Sequence, residues 1–266
     1  MMPVRRFVPA VAAALISSLA SAQDSSTLAK QLANPIASLV SVPFQSNFDS
    51  NIGPGEDGDR YTLNIQPVIP FSLNEDWNLI SRTILPVIDQ SDIFPGAGSQ
   101  SGLGDTVQSL FFSPVKPTAN GWIWGAGPVF LLPTATDDLL GTEKWGAGPT
   151  AVALRQTGPW TAGGLANHIW SVAGDNNRED VSQSFVQPFF TYTTPKAFSL
   201  TLTADSVYNW KTSDWTIPVG VFAGQVFTVG KQIMQIGAGP RYYAQSPESG
   251  PDGWGARINV VFLFPK

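Results

Sequence analysis

Phe198-Ser-Leu-Thr-Leu-Thr-Ala-Asp-Ser-Val-Tyr-Asn-Trp210 alternates along its whole length. Phe198, Leu200, Leu202, Ala204, Ser206, Tyr208 and Trp210 share one face; Ser199, Thr201, Thr203, Asp205 and Asn209 share the other. Successive side chains of an extended chain point to opposite sides, so the stretch is a strand with one oily and one wet face. An aromatic residue stands at each end of the oily face. At a rise of roughly 3.3 Å per residue and a tilt of about 40°, that separation projects to about 30 Å, near the height of a bilayer-spanning barrel's apolar band. Four further pairs stand ten or twelve positions apart, at Tyr61/Phe71, Trp160/Trp170, Trp215/Phe227 and Trp254/Phe264. All ten residues are expected to form two girdles on the outside of a closed antiparallel transmembrane β-barrel.

The same alternation marks strands near 38–48, 61–71, 77–88, 105–114, 121–133, 145–156, 159–172, 184–194, 197–210, 215–228, 232–244 and 254–264, which makes about twelve. Short turns at 72–76, 115–120, 157–158, 195–196 and 229–231 alternate with mostly longer, acidic loops at 49–59, 89–104, 134–144, 173–183 and 245–253. An even strand count with alternating connections puts both ends of the barrel chain on the short-turn side. Arg5 and Arg6, the apolar run 7–19 and Ala20-Ser-Ala22 read as a signal peptide over 1–22. Residues 23–36 are a tether or a short helix capped by Ser25-Ser26 that plugs the lumen, and 37–266 are the barrel.

Composition agrees. The 266 residues include 25 Gly, 22 Pro and 9 Trp with 13% charged residues, a turn-rich β profile. No stretch after the leader is apolar enough for a spanning helix. The absence of cysteine excludes disulfides and thiolate metal sites, and a net charge of -5 argues against nucleic acid as a partner. No cofactor is expected. The expected partners are outer-membrane lipid and lipopolysaccharide, the barrel-insertion machinery and small-molecule solutes; the expected location is the cell outer membrane.

Two features strain the β reading. Pro67, Pro86, Pro128, Pro149, Pro188, Pro218 and Pro240 fall inside strands, where a missing N–H interrupts the ladder, so bulges or non-hydrogen-bonded positions are required. A repeat, Trp124-Gly-Ala-Gly-Pro128, Trp145-Gly-Ala-Gly-Pro149 and Ile236-Gly-Ala-Gly-Pro240, lacks the spacing of a nucleotide loop and reads as a recurring barrel device.

Several stretches also resemble a known family: 34–45 (NPIASLVSVPFQ), 84–88 (ILPVI), 111–117 (FFSPVKP), 132–138 (LPTATDD), 170–175 (WSVAGD) and 229–232 (VGKQ). They are similar to bacterial outer-membrane proteins related to the meta-pathway phenol-degradation barrels, often labelled transporters. The resemblance implies an outer-membrane barrel with an uptake role and brings no established catalytic or ligand residues. An aromatic at the last position, usual for such barrels, is replaced here by Phe264-Pro265-Lys266.

Strand parity turns Arg82, Asp205, Arg241 and Arg257 inward, with Arg60 at the outer rim. Two readings stand. The arginines form a basic wall favouring small anions such as carboxylates, or they pair with Asp205 and loop acids and close the lumen. Inward Ile80, Ile84, Ile123, Val129 and Leu131 suggest a greasy path for aromatic solutes, or a parity error at a bulge. His168 has Ser171 and Asn167 nearby, but adjacent residues face opposite ways, so no catalytic residue is expected and the chain reads as a non-enzyme. No His/Cys cluster supports a metal, and the acidic loops 56–59, 136–138 and 175–180 lack EF-hand spacing.

Overall fold

Each alternating stretch forms a strand because one polar and one apolar face can be served together only where a sheet separates lipid from water. The computed structural model describes residues 25–265. The signal-peptide expectation falls outside them. The strands are β1 (Val40–Ile52), β2 (Gly58–Ile65), β3 (Val68–Ser72), β4 (Trp77–Ser91), β5 (Ser99–Leu103), β6 (Thr106–Pro114), β7 (Trp122–Leu132), β8 (Lys144–Thr157), β9 (Trp160–Gly174), β10 (Ser182–Thr193), β11 (Phe198–Ala204), β12 (Ser206–Asn209), β13 (Asp214–Val229), β14 (Gln232–Gln245) and β15 (Gly253–Phe264). β3 continues β2 past a bend at Gln66-Pro67, β5 runs on into β6, and β11 and β12 are one stave interrupted at Asp205. The result is a twelve-stave antiparallel barrel. Closure runs from Val40 opposite Phe264 to Phe48 opposite Ala256.

The staves extend further at the long-loop end than alternation indicates. Residues 49–52, 58–59, 89–91 and 99–103 are strand, although they read as loop. Above an apolar belt both faces meet water, so Asp49-Ser50-Asn51 and Ser99-Gln100-Ser101 carry no oily face to reveal them.

The glycine–proline repeat has a single structural role in all three places. The ladder partners skip from Ser109↔Val129 to Phe112↔Ala126, from Ala147↔Trp170 to Thr150↔Asn167, and from Gly220↔Arg241 to Ala223↔Ala238. Each gap contains the Gly-Pro dipeptide, and register is the same on both sides. The proline has no N–H to give there. A Cβ on the preceding glycine would lie 2.0 Å from the Leu110 carbonyl oxygen at Gly127, 1.7 Å from that of His168 at Gly148, and 1.9 Å from that of Val221 at Gly239. Only glycine permits this approach. Pro218 sits at a register shift and Pro67 at the β2–β3 bend.

Helix α1 (residues 25–32) lies inside the barrel rather than trailing from it. Leu28 and Ala29, with Ala37 and Leu39, are buried against Val226, Val261 and Leu263 of β13 and β15. Ile36 packs on the far wall with Ile80, Phe111 and Leu154. Gln156 Nε2 donates to the Lys30 carbonyl at 2.8 Å and Asn78 Nδ2 donates to Ser38 Oγ at 3.2 Å, tying the segment to β8 and β4. Of the two readings of residues 23–36, the described part is a plug crossing the lumen at the short-turn end.

Candidate functional site in the lumen

The wet faces of the staves converge on one polar cluster, and parity places its members. Asn47 of β1 stands opposite Arg257 of β15, and Asp49 of β1 opposite Arg60 of β2. Asn47 Oδ1 accepts from Arg257 Nε at 2.7 Å and from Arg241 Nη1 at 2.8 Å, joining neighbouring arginines through one buried oxygen. Arg241 Nε lies 3.4 Å from Asp49 Oδ1, while Arg241 Nη2 donates to the Tyr243 hydroxyl. The Arg241 guanidinium also sits 5.0 Å from the centre of the Tyr243 ring. Gly255 leaves room for this arginine, since a Cβ there would come 3.1 Å from Arg241 Cγ.

Asp205 reaches across the lumen from the β11–β12 interruption. Its Oδ2 pairs with Arg257 Nη2 at 2.7 Å, and its Oδ1 accepts from Gln187 Nε2 at 2.7 Å and from Thr203 Oγ1 at 3.3 Å. Arg257 lies 4.9 Å over the Phe222 ring. Arg60 Nε donates to Gln90 Oε1 at 2.8 Å, and Arg82 Nη2 to Gln66 Oε1 at 3.0 Å. Neither Arg60 nor Arg82 makes an ion pair among the described residues.

Arg82, Asp205, Arg241 and Arg257, inward by parity, lie in the interior and Arg60 stands nearer the rim, but their arrangement mixes the two readings. Arg241 and Arg257 are paired with Asp49 and Asp205, whereas Arg60 and Arg82 bond only to amides. Four arginines less two aspartates leave the cluster with two uncompensated positive charges. Asn47, Asp49, Gln66, Gln90 and Tyr243 were missed by sequence reasoning. Parity turns Asn47, Gln66 and Tyr243 inward without distinguishing them from other wet-face residues, whereas Asp49 and Gln90 lie in stretches that read as loop.

The apolar inward positions are inward as parity gave them, but Ile80 and Val129 are fully buried in clusters packed against the wall and line no open path. The open space is elsewhere. A cavity of about 260 Å³ lies between the plug and the arginines, bordered by Leu32, Asn34, Arg82, Phe189, Arg257 and Asn259 among others.

His168 contacts a different serine from the nearby Ser171. Its Nδ1 lies 2.7 Å from Ser184 Oγ, its partner across the β9–β10 ladder, while Ser171 Oγ donates to Asp180. Trp210 Nε1 donates to the same Ser184 oxygen at 2.9 Å. Among the described residues His168 Nε2 has no hydrogen-bond partner, so none of them acts there as an orienting third group.

The outside completes the description. Leu200, Leu202, Val219, Val221 and Ile258 are exposed between the ring-bearing ends, with Leu202 at 48%. Phe71, Trp160, Trp170, Phe198, Trp210, Trp254 and Phe264 are exposed, and Tyr61, Trp215 and Phe227 partly so. A belt of exposed aliphatic side chains on a closed sheet is stable only against lipid.

These features define a twelve-stave transmembrane β-barrel with an internal N-terminal plug and a positively charged lumen. The chain is similar in structure to an outer-membrane channel from Pseudomonas putida F1, with a TM-score of 0.67 at 16% identity over 85% of this chain and 96% of that one. Outer membrane phospholipase A from Escherichia coli matches with a TM-score of 0.48 at 12% identity, over 85% of this chain and 90% of that one. At these identities the first likeness is one of fold alone, that of an outer-membrane β-barrel. No protein-family model and no curated protein matches the sequence.

Proposed function

We propose that the protein is an outer-membrane channel that passively admits small solutes, favouring anionic ones with an apolar body. The observation that carries this reading is the lumen itself, where Arg82 borders a cavity of about 260 Å³ and both it and Arg60, nearer the rim, bond to amides and make no ion pair among the described residues. A pore lined by uncompensated cations lowers the barrier for anions and raises it for cations. Twelve staves leave too little width for a wide aqueous pore once a plug is inside, so the path is narrow. The resemblance to the phenol-degradation barrels adds the expectation of aromatic solutes.

We read the chain as a non-enzyme. Trp210 donation to Ser184 draws electron density from the hydroxyl, and acyl transfer also needs an orienting group for the base. Purified protein given a fluorogenic ester is expected to show no hydrolysis that Ser184→Ala removes.

Solute flux in liposomes tests the channel. Swelling with small carboxylates that exceeds swelling with cations of equal size supports it. Absence of flux for all solutes would leave a structural barrel with a closed lumen.

A further inference from the structure

The cavity of about 260 Å³ above the plug has an unusual charge inventory: its lining holds two arginines, no lysine and no carboxylate. We propose that it is a binding site for a small monocarboxylate with an apolar body, its carboxylate held by Arg82. The proposal deepens the channel reading and rests on it for the ligand's route, though not for the binding itself.

The two arginines are not equivalent. Arg257 is committed to Asp205 at 2.7 Å, to Asn47 at 2.7 Å and to the face of Phe222. Among the described residues the Arg82 guanidinium makes one hydrogen bond, to Gln66 at 3.0 Å. A guanidinium carries five N–H donors in a planar fork matched to a carboxylate. Asp205 makes no ion pair with it, and its oxygens take Arg257, Gln187 and Thr203 instead. Arg82 is thus a cation bordering a cavity with most of its donors unspent.

The remainder of the lining is mixed, with Gln45, Gln187, Thr191 and Asn259 among its polar members and an apolar part that suits an oily body. Leu32 and Leu39 of the plug segment, Val68 of β3, Phe189 of β10 and Val261 of β15 border the same space. A neutral solute would leave Arg82 unmatched. A dicarboxylate would bring a second negative charge to a cavity whose other arginine Asp205 has already neutralised. One charged head and one oily body is the composition the lining matches.

Benzoate and benzamide, alike in shape and different in charge, are the probes. Calorimetric titration of the detergent-solubilised protein is expected to give saturable one-site binding of benzoate, with benzamide at least tenfold weaker. Arg82→Gln is expected to weaken benzoate at least tenfold, and Arg82→Lys to restore part of the loss. Leu32→Trp fills the cavity from the plug and is expected to abolish binding with Arg82 intact, which keeps the test alive if the arginine variant fails to fold. Equal affinity for the two probes, undiminished binding in Arg82→Gln or Leu32→Trp, or no saturable binding to the wild type would overturn the site. Current recorded in planar bilayers separates the two readings. Binding without conductance overturns the channel and leaves the site; conductance without binding does the reverse.

Discussion

Asn47 carries more of the lumen than its size suggests, because one amide oxygen accepts from both Arg241 and Arg257 and fixes their spacing. Asp205 is the other pivot. Asp205→Asn removes the only carboxylate paired with Arg257, and leaving a buried guanidinium uncompensated costs about 3–5 kcal/mol. Thermal unfolding followed by heat-modifiable gel migration is expected to show the loss, while Asp205→Asn channels, if refolded, become more anion-selective. At the long-loop end, Asp180 pairs with the buried Lys144 at 3.0 Å, and that hydrogen bond, helped by Ser171, holds the carboxyl below its ordinary range. A carboxylate with a lowered folded pKa stabilises above its unfolded value, about pH 3.9, and the contribution disappears as pH falls through the folded value. Wild type and Asp180→Asn are therefore expected to differ in thermal midpoint at pH 6 and to converge as the pH falls well below 4. A difference that persists there would exclude the ion pair as its source. Which charges face inward was legible, since parity is a local property of each strand. Their partners were not: Asp205 meets Arg257 across the barrel interior, a juxtaposition no sequence spacing encodes.

The glycine–proline repeat decides how the staves lie against one another. Gly148→Val places a Cβ where the His168 carbonyl already lies 1.7 Å away, so the β8–β9 ladder must open. Gly164→Ala on β9 has its nearest neighbour at 3.7 Å and serves as the control. The first variant is expected to lose the heat-modifiable folded band and the second to keep it; folding of both alike would refute the close-approach account. The plug is held mainly by apolar burial of Leu28 and Ala29. Leu28→Asp puts a carboxylate among aliphatic side chains at a cost of several kcal/mol. The helix is then expected to leave the lumen and single-channel conductance to rise several-fold, and unchanged conductance would show that the segment does not limit flow. The repeat was readable as a barrel device because it recurs inside alternating stretches. The plug was not settled by sequence, because a short amphipathic helix after a leader looks the same whether it is docked or free. The strand extensions above the belt were hidden for the opposite reason, a lack of any apolar face.

For the molecule as a whole, twelve staves followed from one periodicity, and most of the girdle residues are exposed on the outside. Brominated lipid acyl chains are expected to quench Trp160, Trp170 and Trp254, all exposed there. Which solute the proposed channel would admit was not legible, since selectivity would depend on how four arginines are shared between two aspartates and several amides in three dimensions. The reversal potential of single channels under a tenfold potassium chloride gradient probes that sharing most directly. The uncompensated charge of Arg60 and Arg82 predicts a potential displaced toward that of chloride, and a smaller displacement in Arg82→Ala. A potential displaced toward that of potassium, or one that Arg82→Ala leaves unmoved, would contradict it.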